Sequence, residues 1–270
     1  MNNGPWDARI ERAQYLTNKI NSAAEILRFY GHVAGAQARV YARVHAACGD
    51  VRVRRPEGGL REELDLTLLL PELRAFLAVV ERHGTPPLTA AARELAASDA
   101  ASMADLCSVW WSDLAGTSIE QPEQRFCLRA FLEPYAQYLA EHTELPVLEI
   151  TPSVCPLCGG KPQCGVLRPE GDGARRSLVC CLCATEWNYG RILCPACGEG
   201  SETRLAVYIA EEIPQVRVEA CDACQVYIKT VNLAKDGHAV PLVDEIAAVP
   251  LDLWAREKGY TKLQENLMGM

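Results

Sequence analysis

The chain has 270 residues, of which 49% are hydrophobic and 23% are charged, and its formal net charge is −8. This composition is typical of a globular chain that buries a core in one or two domains. The acidic balance disfavours nucleic acid as a partner, because phosphate binding depends on clustered lysine and arginine. Neither a secretory signal pattern nor an apolar run of about 18 residues occurs, so we expect a cytoplasmic protein without membrane insertion.

Helical periodicity extends through residues 1–150, where alanine, leucine, glutamate and arginine are frequent. The predicted helices run from Ala8 to Tyr30 and on toward His45, then over Pro71–His83, Leu88–Ala97, Asp99–Leu114 and Pro122–His142. We therefore expect an N-terminal helical bundle. Pro146 and Pro152 follow it and favour an extended linker.

Four CxxC pairs follow the linker within about seventy residues. They are Cys155 with Cys158, Cys180 with Cys183, Cys194 with Cys197, and Cys221 with Cys224. Two cysteines at this spacing on a tight turn direct both thiolates at one cation, so eight ligands predict two four-cysteine metal sites. Iron and zinc both accept four thiolates in a tetrahedral arrangement.

Gaps of 21 residues between the first two pairs and 23 between the last two leave room for a β-hairpin that returns the chain to the metal. We therefore combine the first pair with the second and the third with the fourth. Spacing alone also permits a cross-braced arrangement of first with third and second with fourth.

Each half of this region opens with a CPxCG motif, which suggests a duplication. Gly159 and Gly198 follow the second cysteine, where a positive φ turns backbone amides toward the thiolates. Cys164 and Cys181 lie outside the CxxC spacing, and we interpret both as bystanders. Trp187 is expected to pack over the first ribbon and shield its thiolates.

The remaining cysteines and histidines indicate no further site. Cys48, Cys107 and Cys127 lie in apolar helices, where free cysteine ordinarily packs as a small buried side chain. The five histidines show no ligand spacing with each other or with the CxxC pairs. No arrangement typical of a hydrolase or a nucleotide-binding loop occurs, so neither hydrolase nor nucleotide chemistry is predicted.

The end of the chain combines strands and a helix. Residues 204–212, 215–222 and 226–233 alternate as strands of the second ribbon, and Asp244–Lys258 reads as a helix that Pro250 kinks or divides. Asp244 is expected to cap this helix. Its apolar positions are Ile246, Val249, Leu253 and Trp254, which we expect to pack on one of the domains.

The order of these motifs resembles the FdhE family, the accessory proteins of formate dehydrogenase. The resemblance rests on CPxCG, a CxxC with Trp187 four residues later, CxxCG, CDxCxxYxKT, and VDEIAAVPLDLWAREKGYTKLQENL near the C-terminus. It spans about Ser153–Leu267, and RAQYL and AEILRFYGHVAGAQ extend it to the N-terminal helices. This chain departs from the family's usual Asn-Pro-Phe tail, since Asn266 is followed by Leu267 and Met268.

The resemblance implies an α+β multidomain fold, in which a helical N-terminal bundle precedes two small rubredoxin-like, or zinc-ribbon, metal modules and a C-terminal helix. The corresponding segments are residues 1–150, 153–190, 191–236 and 237–270. It also implies iron in both tetrathiolate sites, bound by the same eight cysteines of the CxxC pairs, with zinc as the other candidate.

The implied function is that of a cytoplasmic accessory protein or chaperone. Such a protein interacts with the catalytic subunit of formate dehydrogenase and is needed for its maturation or activity, without being an enzyme. The alternative functions are a zinc-ribbon nucleic-acid module, which the acidic charge opposes, and a thiol oxidoreductase that uses one CxxC as a redox pair. The oligomeric state stays open at this point.

Overall fold

A computed structural model describes residues 5–50, 59–113, 118–146 and 151–270. It forms two compact units, of which one combines Met1–Ile10 with Phe29–Leu145 and the other combines Glu11–Arg28 with Pro146–Met270. The helices are α1 (Pro5–Thr17), α2 (Ala24–Cys48), α3 (Leu66–His83), α4 (Pro86–Ala97), α5 (Ala100–Ser112), α6 (Pro122–Glu141), α7 (Pro241–Ala247) and α8 (Val249–Glu257). The strands are β1 (Pro162–Glu170), β2 (Gly173–Cys180), β3 (Glu186–Asn188), β4 (Leu205–Ile209), β5 (Val216–Cys221), β6 (Val226–Asn232) and β7 (Thr261–Lys262). Among the described residues, no helix is both long and apolar enough to cross a membrane.

The first unit is helical, as predicted for the N-terminal region. Asp65 caps the N-terminus of helix α3, where its carboxylate accepts hydrogen bonds from the backbone N–H groups of Thr67 and Leu68. Helices α4 and α6 each begin with proline, which fits the first turn because its missing N–H would have no partner there. Helices α3 and α6 bury their apolar faces, and the rings of Phe76 and Phe131 pack with centroids 5.6 Å apart.

The prediction of a continuous helix from Ala8 to Tyr30 is wrong. Helix α1 ends at Thr17, and a short 3-10 turn over Asn21–Ala23 precedes α2. The Asn18 side chain donates to the Gln14 carbonyl at 3.2 Å, and polar side chains of this kind compete with the helical backbone. Sequence periodicity carries across such a break because the flanking helices are both amphipathic.

The scattered cysteines divide into two groups. Cys107 and Cys127 are completely buried, as predicted, and burial raises the pKa of each thiol to about 12. The same prediction is wrong for Cys48, which is exposed at the end of α2. The predicted end of α5 at Leu114 lies outside the described residues, and the helix ends at Ser112 within them.

The second unit is built on one seven-stranded sheet. The strand order is β3-β2-β1-β6-β5-β4, and β7 pairs in parallel with β6. Each half has the same order of parts, since a CxxC turn, two antiparallel strands, a second CxxC turn and a third strand follow one another. This order confirms the duplication that the paired CPxCG motifs suggest.

The two halves join through strands β1 and β6, which run parallel. Cys164 stands opposite Lys229, and the pairing continues to Leu167 opposite Asn232. The predicted α+β fold with two four-cysteine modules is confirmed. The single sheet was not expected from the sequence, and the finer division at residues 190 and 191 stays a prediction.

The C-terminal helical segment divides at Ala248, so that α7 and α8 are separate helices. Because of the break, the residues of α8 that face the interior are not those predicted for a continuous helix. Leu251 and Ala255 are buried, whereas Leu253 is 52% exposed. Pro250 lies in the first turn of α8, where it fits. The predicted break is therefore observed, whereas the predicted packing of Leu253 is wrong.

The sequence predicts Asp244 at the N-cap of this segment, but Asp244 does not occupy that position. It lies within α7 and is fully buried, where its carboxylate accepts hydrogen bonds from Arg12 at 2.6 and 2.9 Å and from the Val240 backbone N–H at 2.8 Å. Arg12 also pairs with Asp236 at 2.5 Å. The arginine of the RAQYL motif thus neutralises a buried carboxylate on α7.

A second group of buried charges ties the C-terminal segment to the sheet. Lys229 on β6 contacts Glu245 at 3.0 Å and Asp252 at 2.5 Å, and Lys262 on β7 contacts the same two carboxylates at 2.5 and 3.0 Å. The Tyr227 hydroxyl donates to Asp252 at 2.8 Å. Two ammonium groups therefore balance two carboxylates, which is the condition under which buried charges are tolerated.

The stability of this unit should fall in acid. Burial alone would raise the pKa of Glu245, but Lys229 and Lys262 outweigh it and lower the pKa from 4.5 to about 2. A pKa that is lower in the folded state gives stability above pH 4.5, which is lost as the pH falls toward about 2. The expected loss is roughly 3 kcal/mol.

Urea unfolding between pH 6 and pH 2 measures this effect. Because acid also weakens thiolate metal sites, the informative quantity is the difference between the parent chain and Glu245→Gln. The variant should be less stable at pH 6 and should approach the parent as the pH falls. Parallel curves for the two proteins would show that Glu245 does not titrate with folding.

Candidate metal centres

Four turns of similar geometry carry the paired cysteines. The residue after the second cysteine has a positive φ in each turn: Gly159 (76°), Ala184 (54°), Gly198 (78°) and Gln225 (58°). The two glycines confirm the sequence prediction. Alanine and glutamine at the other two positions adopt a conformation that costs a residue with a side chain about 1–2 kcal/mol, so the turn requirement outweighs that cost.

These turns point backbone amides at sulfur. The N–H groups of Gly160, Leu182 and Ala196 donate to the Sγ atoms of Cys158, Cys180 and Cys194, each at 3.4 Å. Hydrogen bonds of this kind stabilise thiolates rather than neutral thiols. The turns are therefore arranged for deprotonated cysteines.

The first cluster consists of Cys155, Cys158, Cys180 and Cys183, all of which are buried. The Sγ atoms of Cys155 and Cys183 lie 3.5 Å apart, and those of Cys158 and Cys180 lie 3.3 Å apart. These distances are far longer than a disulfide bond of about 2.05 Å. The structure thus brings together the first and second pairs, as the sequential arrangement predicts.

The second cluster consists of Cys194, Cys197, Cys221 and Cys224, and it is more open. Cys197 is exposed and Cys224 is half-buried. The Sγ atoms of Cys194 and Cys224 lie 3.8 Å apart, and those of Cys197 and Cys221 lie 3.7 Å apart. The third and fourth pairs therefore also come together, and the cross-braced arrangement is not the one observed.

Both clusters have the dimensions of a tetrahedral thiolate site. Metal–sulfur bonds of about 2.3 Å at tetrahedral angles place the sulfur atoms about 3.8 Å apart. The second cluster matches this separation, and the first needs an expansion of a few tenths of an ångström. Each cluster can hold one metal ion, and iron and zinc both fit its four sulfur ligands.

Electrostatics favours a cation in the first cluster. Hydrogen bonds from Cys158, Cys180 and Cys183 lower the pKa of Cys155, whereas burial raises the pKa of Cys180 and of Cys183. One thiolate is therefore stabilised by its neighbours, and further deprotonation would place unbalanced charge in a buried site. A divalent cation removes that conflict by compensating the thiolate charge.

Cys181, Cys164 and Trp187 are not among the four ligands of the first cluster. Cys181 is half-buried and is not one of the four cysteines of the first cluster, although its sulfur lies close to Cys180. Cys164 is completely buried in β1, and burial raises its pKa well above the usual value. Trp187 is buried, and its indole N–H donates to the Pro152 carbonyl at 2.9 Å.

A cleft of about 520 Å³ opens beside the second cluster, and Cys194 and Cys221 line part of it. Arg176 in its wall pairs with Glu219 at 2.7 Å and donates to the Gly190 carbonyl at 2.9 Å. Ile192 is 43% exposed at this cleft. Solvent and solutes therefore reach the second cluster more easily than the first.

Comparison with known proteins agrees with this architecture. The family model for the FdhE central domain matches residues 154–191, and the model for the FdhE C-terminal domain matches residues 192–268. A protein of Aquifex aeolicus named Protein FdhE homolog is 28% identical over an alignment of 270 positions, which covers 96% of this chain and 94% of that protein. The chain contains the central and C-terminal domains of the FdhE family.

Two further comparisons, both with FdhE of Pseudomonas aeruginosa, agree with this result. A Protein FdhE homolog is 38% identical over an alignment of 123 positions, which covers 43% of this chain and 39% of that protein. The crystal structure of the FdhE protein from the same species has a TM-score of 0.77 and 27% identity, over 99% of this chain and 96% of that chain. The FdhE fold therefore extends over the helical unit as well as the metal modules.

We expect the two FdhE metal sites to differ in lability. Metal exchange requires access to a thiolate, and Cys197 is exposed whereas the first cluster is buried throughout. A chromogenic chelator should therefore remove metal from the second site at least severalfold faster than from the first. Two variants isolate the sites, because Cys158→Ser leaves only the second and Cys197→Ser leaves only the first. Equal rates in the two variants would contradict the difference in access.

Sequence spacing missed one group of potential ligands. His45, Asp50 and His142 have ligand atoms within 4.8 Å of one another, although nearly one hundred residues separate the two histidines in this FdhE chain. Histidines that are far apart in the sequence thus lie close together in the fold. This group can be recognised only from the packing of α2 against the end of α6, which the sequence does not reveal.

Proposed function

We propose that this chain is a cytoplasmic accessory protein of formate dehydrogenase, which binds the catalytic subunit of that enzyme and supports its maturation or activity. The chain acts as a chaperone of that subunit and is not itself an enzyme. The observation that carries the proposal is the pair of four-cysteine clusters on one shared sheet, in a chain that contains the central and C-terminal domains of the FdhE family.

Each cluster binds one iron ion in this proposal, with Cys155, Cys158, Cys180 and Cys183 at one ion and Cys194, Cys197, Cys221 and Cys224 at the other. The four turns supply N–H groups to the sulfurs, and hydrogen bonds and solvent exposure set the potential of an iron–thiolate site. The more exposed second site would respond first to oxidants. Zinc fits the same ligands but has no redox change.

Both metal sites lie at the ends of strands of the same sheet. Cys180 ends β2, and Cys221 ends β5, while β1 and β6 join the two halves. Loss of either metal would therefore disturb strands that pair directly with the central β1–β6 junction. We infer that partner binding needs both sites, because a ribbon of this size depends on its metal for folding.

A pull-down with the formate dehydrogenase catalytic subunit tests the proposal. The parent chain, purified with and without air, should retain the subunit, and Cys158→Ser and Cys197→Ser should retain much less. Cys181→Ser is the matched control, since it changes a neighbouring thiol outside the cluster and should bind like the parent. Failure of the parent chain to retain the subunit under both conditions would overturn the proposed partner.

A further inference from the structure

The group of His45, Asp50 and His142 lies in the helical unit, apart from the thiolate clusters. His45 lies in the last turn of α2, Asp50 follows that helix, and His142 directly follows α6. The Nε2 atoms of His45 and His142 lie 2.9 and 3.6 Å from the same oxygen, Oδ1 of Asp50. Two imidazole rings therefore converge on one carboxylate oxygen.

The second nitrogen of His142 fixes how that ring meets the carboxylate. Nδ1 lies 2.8 Å from the carbonyl oxygen of Tyr138, which can only accept a hydrogen bond, so Nδ1 carries the proton. In a neutral ring, Nε2 then presents a lone pair to Asp50. Two acceptors that face each other at 3.6 Å repel unless a proton or a metal ion lies between them. Metal-binding histidines are commonly oriented by a backbone carbonyl in this way.

The two distances from Asp50 are compatible with a shared ion. Bonds of about 2.1 Å to nitrogen and oxygen, at angles between the octahedral and tetrahedral values, separate the ligand atoms by about 3.0–3.4 Å. The observed distances from Asp50 Oδ1, 2.9 Å to His45 Nε2 and 3.6 Å to His142 Nε2, lie on either side of this range. Small rotations of the exposed side chains would bring both distances into it, since Asp50 is 87% and His45 is 43% exposed.

We propose that His45, Asp50 and His142 form a third metal site, which takes a divalent transition metal ion such as zinc or ferrous iron. Two imidazoles and one carboxylate suit these ions, unlike calcium or magnesium, which prefer oxygen ligands. Three protein ligands leave coordination positions for water or an external ligand. The exposure of Asp50 places those positions toward solvent, so the ion exchanges without unfolding of the chain.

Cobalt titration tests this site in the intact protein. The chain is first loaded at both thiolate clusters, and two ions per chain are confirmed by metal analysis. Calorimetric titration with Co²⁺ should then show one further ion, with weak visible bands and without the intense sulfur-to-metal charge-transfer bands of cobalt–thiolate sites. His45→Ala and Asp50→Asn should each weaken this event by more than the roughly 10–100-fold that loss of an outer-shell partner costs.

His83→Ala is the matched control, because His83 stacks on His32 with ring centroids 3.7 Å apart and forms another surface histidine pair. It should leave the third event unchanged. Far-UV circular dichroism checks that each variant is folded. If a His142 variant does not fold, the result for His45→Ala decides the test. The proposal is overturned if no third ion binds at millimolar cobalt, if His45→Ala and Asp50→Asn bind like the parent, or if the event shows thiolate bands. In the first case the two histidines contact Asp50 without a metal ion.

Discussion

Cys158→Ser should reduce the metal content of the chain from two thiolate-bound ions to one and should unfold the first module. Structural tetrathiolate sites bind zinc with apparent free energies of about 10–16 kcal/mol, and much of that energy stabilises the fold. Cys158 is buried, and its sulfur both contacts Cys180 and accepts the Gly160 N–H. A serine hydroxyl at this position would remove a ligand and leave three thiols facing one another.

Metal analysis and the thermal unfolding profile measure this effect, and Cys181→Ser is the control. Cys181 is adjacent in sequence to Cys180 but is not part of the cluster. It should therefore keep both ions and unfold at the temperature of the parent. Equal metal loss from Cys181→Ser and Cys180→Ser would show that the ligands have been assigned wrongly.

Lys229→Ala should destabilise the second unit by about 3–5 kcal/mol, the usual cost of removing one partner from a buried ion pair. Lys229 is completely buried, and its removal leaves Glu245 and Asp252 with Lys262 as their remaining ammonium. One negative charge would then stay uncompensated in the core. Chemical unfolding at neutral pH measures the change in free energy.

Two comparisons separate charge from volume. Lys229→Met keeps most of the side-chain volume, and it should be nearly as destabilising as Lys229→Ala if the buried carboxylates cause the loss. Arg175→Ala removes an exposed partner that lies 4.0 Å from Glu170, so it should change stability by less than about 1 kcal/mol. Recovery of parental stability in Lys229→Met would mean that the lysine acts only by filling space.

The metal clusters were predictable because their geometry is local. Two cysteines three residues apart determine a turn, and the lengths of the intervening segments allow each pair to meet its neighbour. Gly159 and Gly198 marked the positive φ that such a turn requires. Ala184 and Gln225 adopt the same conformation without a glycine signal, so composition alone did not identify those two positions.

The parallel join between β1 and β6 and the buried charges depend on contacts between distant residues. Five consecutive residues of β6 are buried, although the alternating pattern predicts that every second side chain is exposed. Both faces of the sheet are therefore covered at this strand. Lys229 therefore looks like a solvent-facing residue in sequence but pairs with Glu245 and Asp252 in the structure. Likewise, Arg12 and Asp244 are separated by 232 positions, and their pairing leaves no periodic signal.

Metal determination on protein purified without air, combined with Mössbauer spectroscopy after growth on ⁵⁷Fe, tests the central claim most directly. The two four-cysteine clusters predict two thiolate-bound ions per chain, both with the spectrum of high-spin ferrous iron in a tetrathiolate site. Air should convert this spectrum to the ferric form and produce rubredoxin-like visible absorption. A folded chain that binds the catalytic subunit with its eight paired cysteines free of metal would contradict the account.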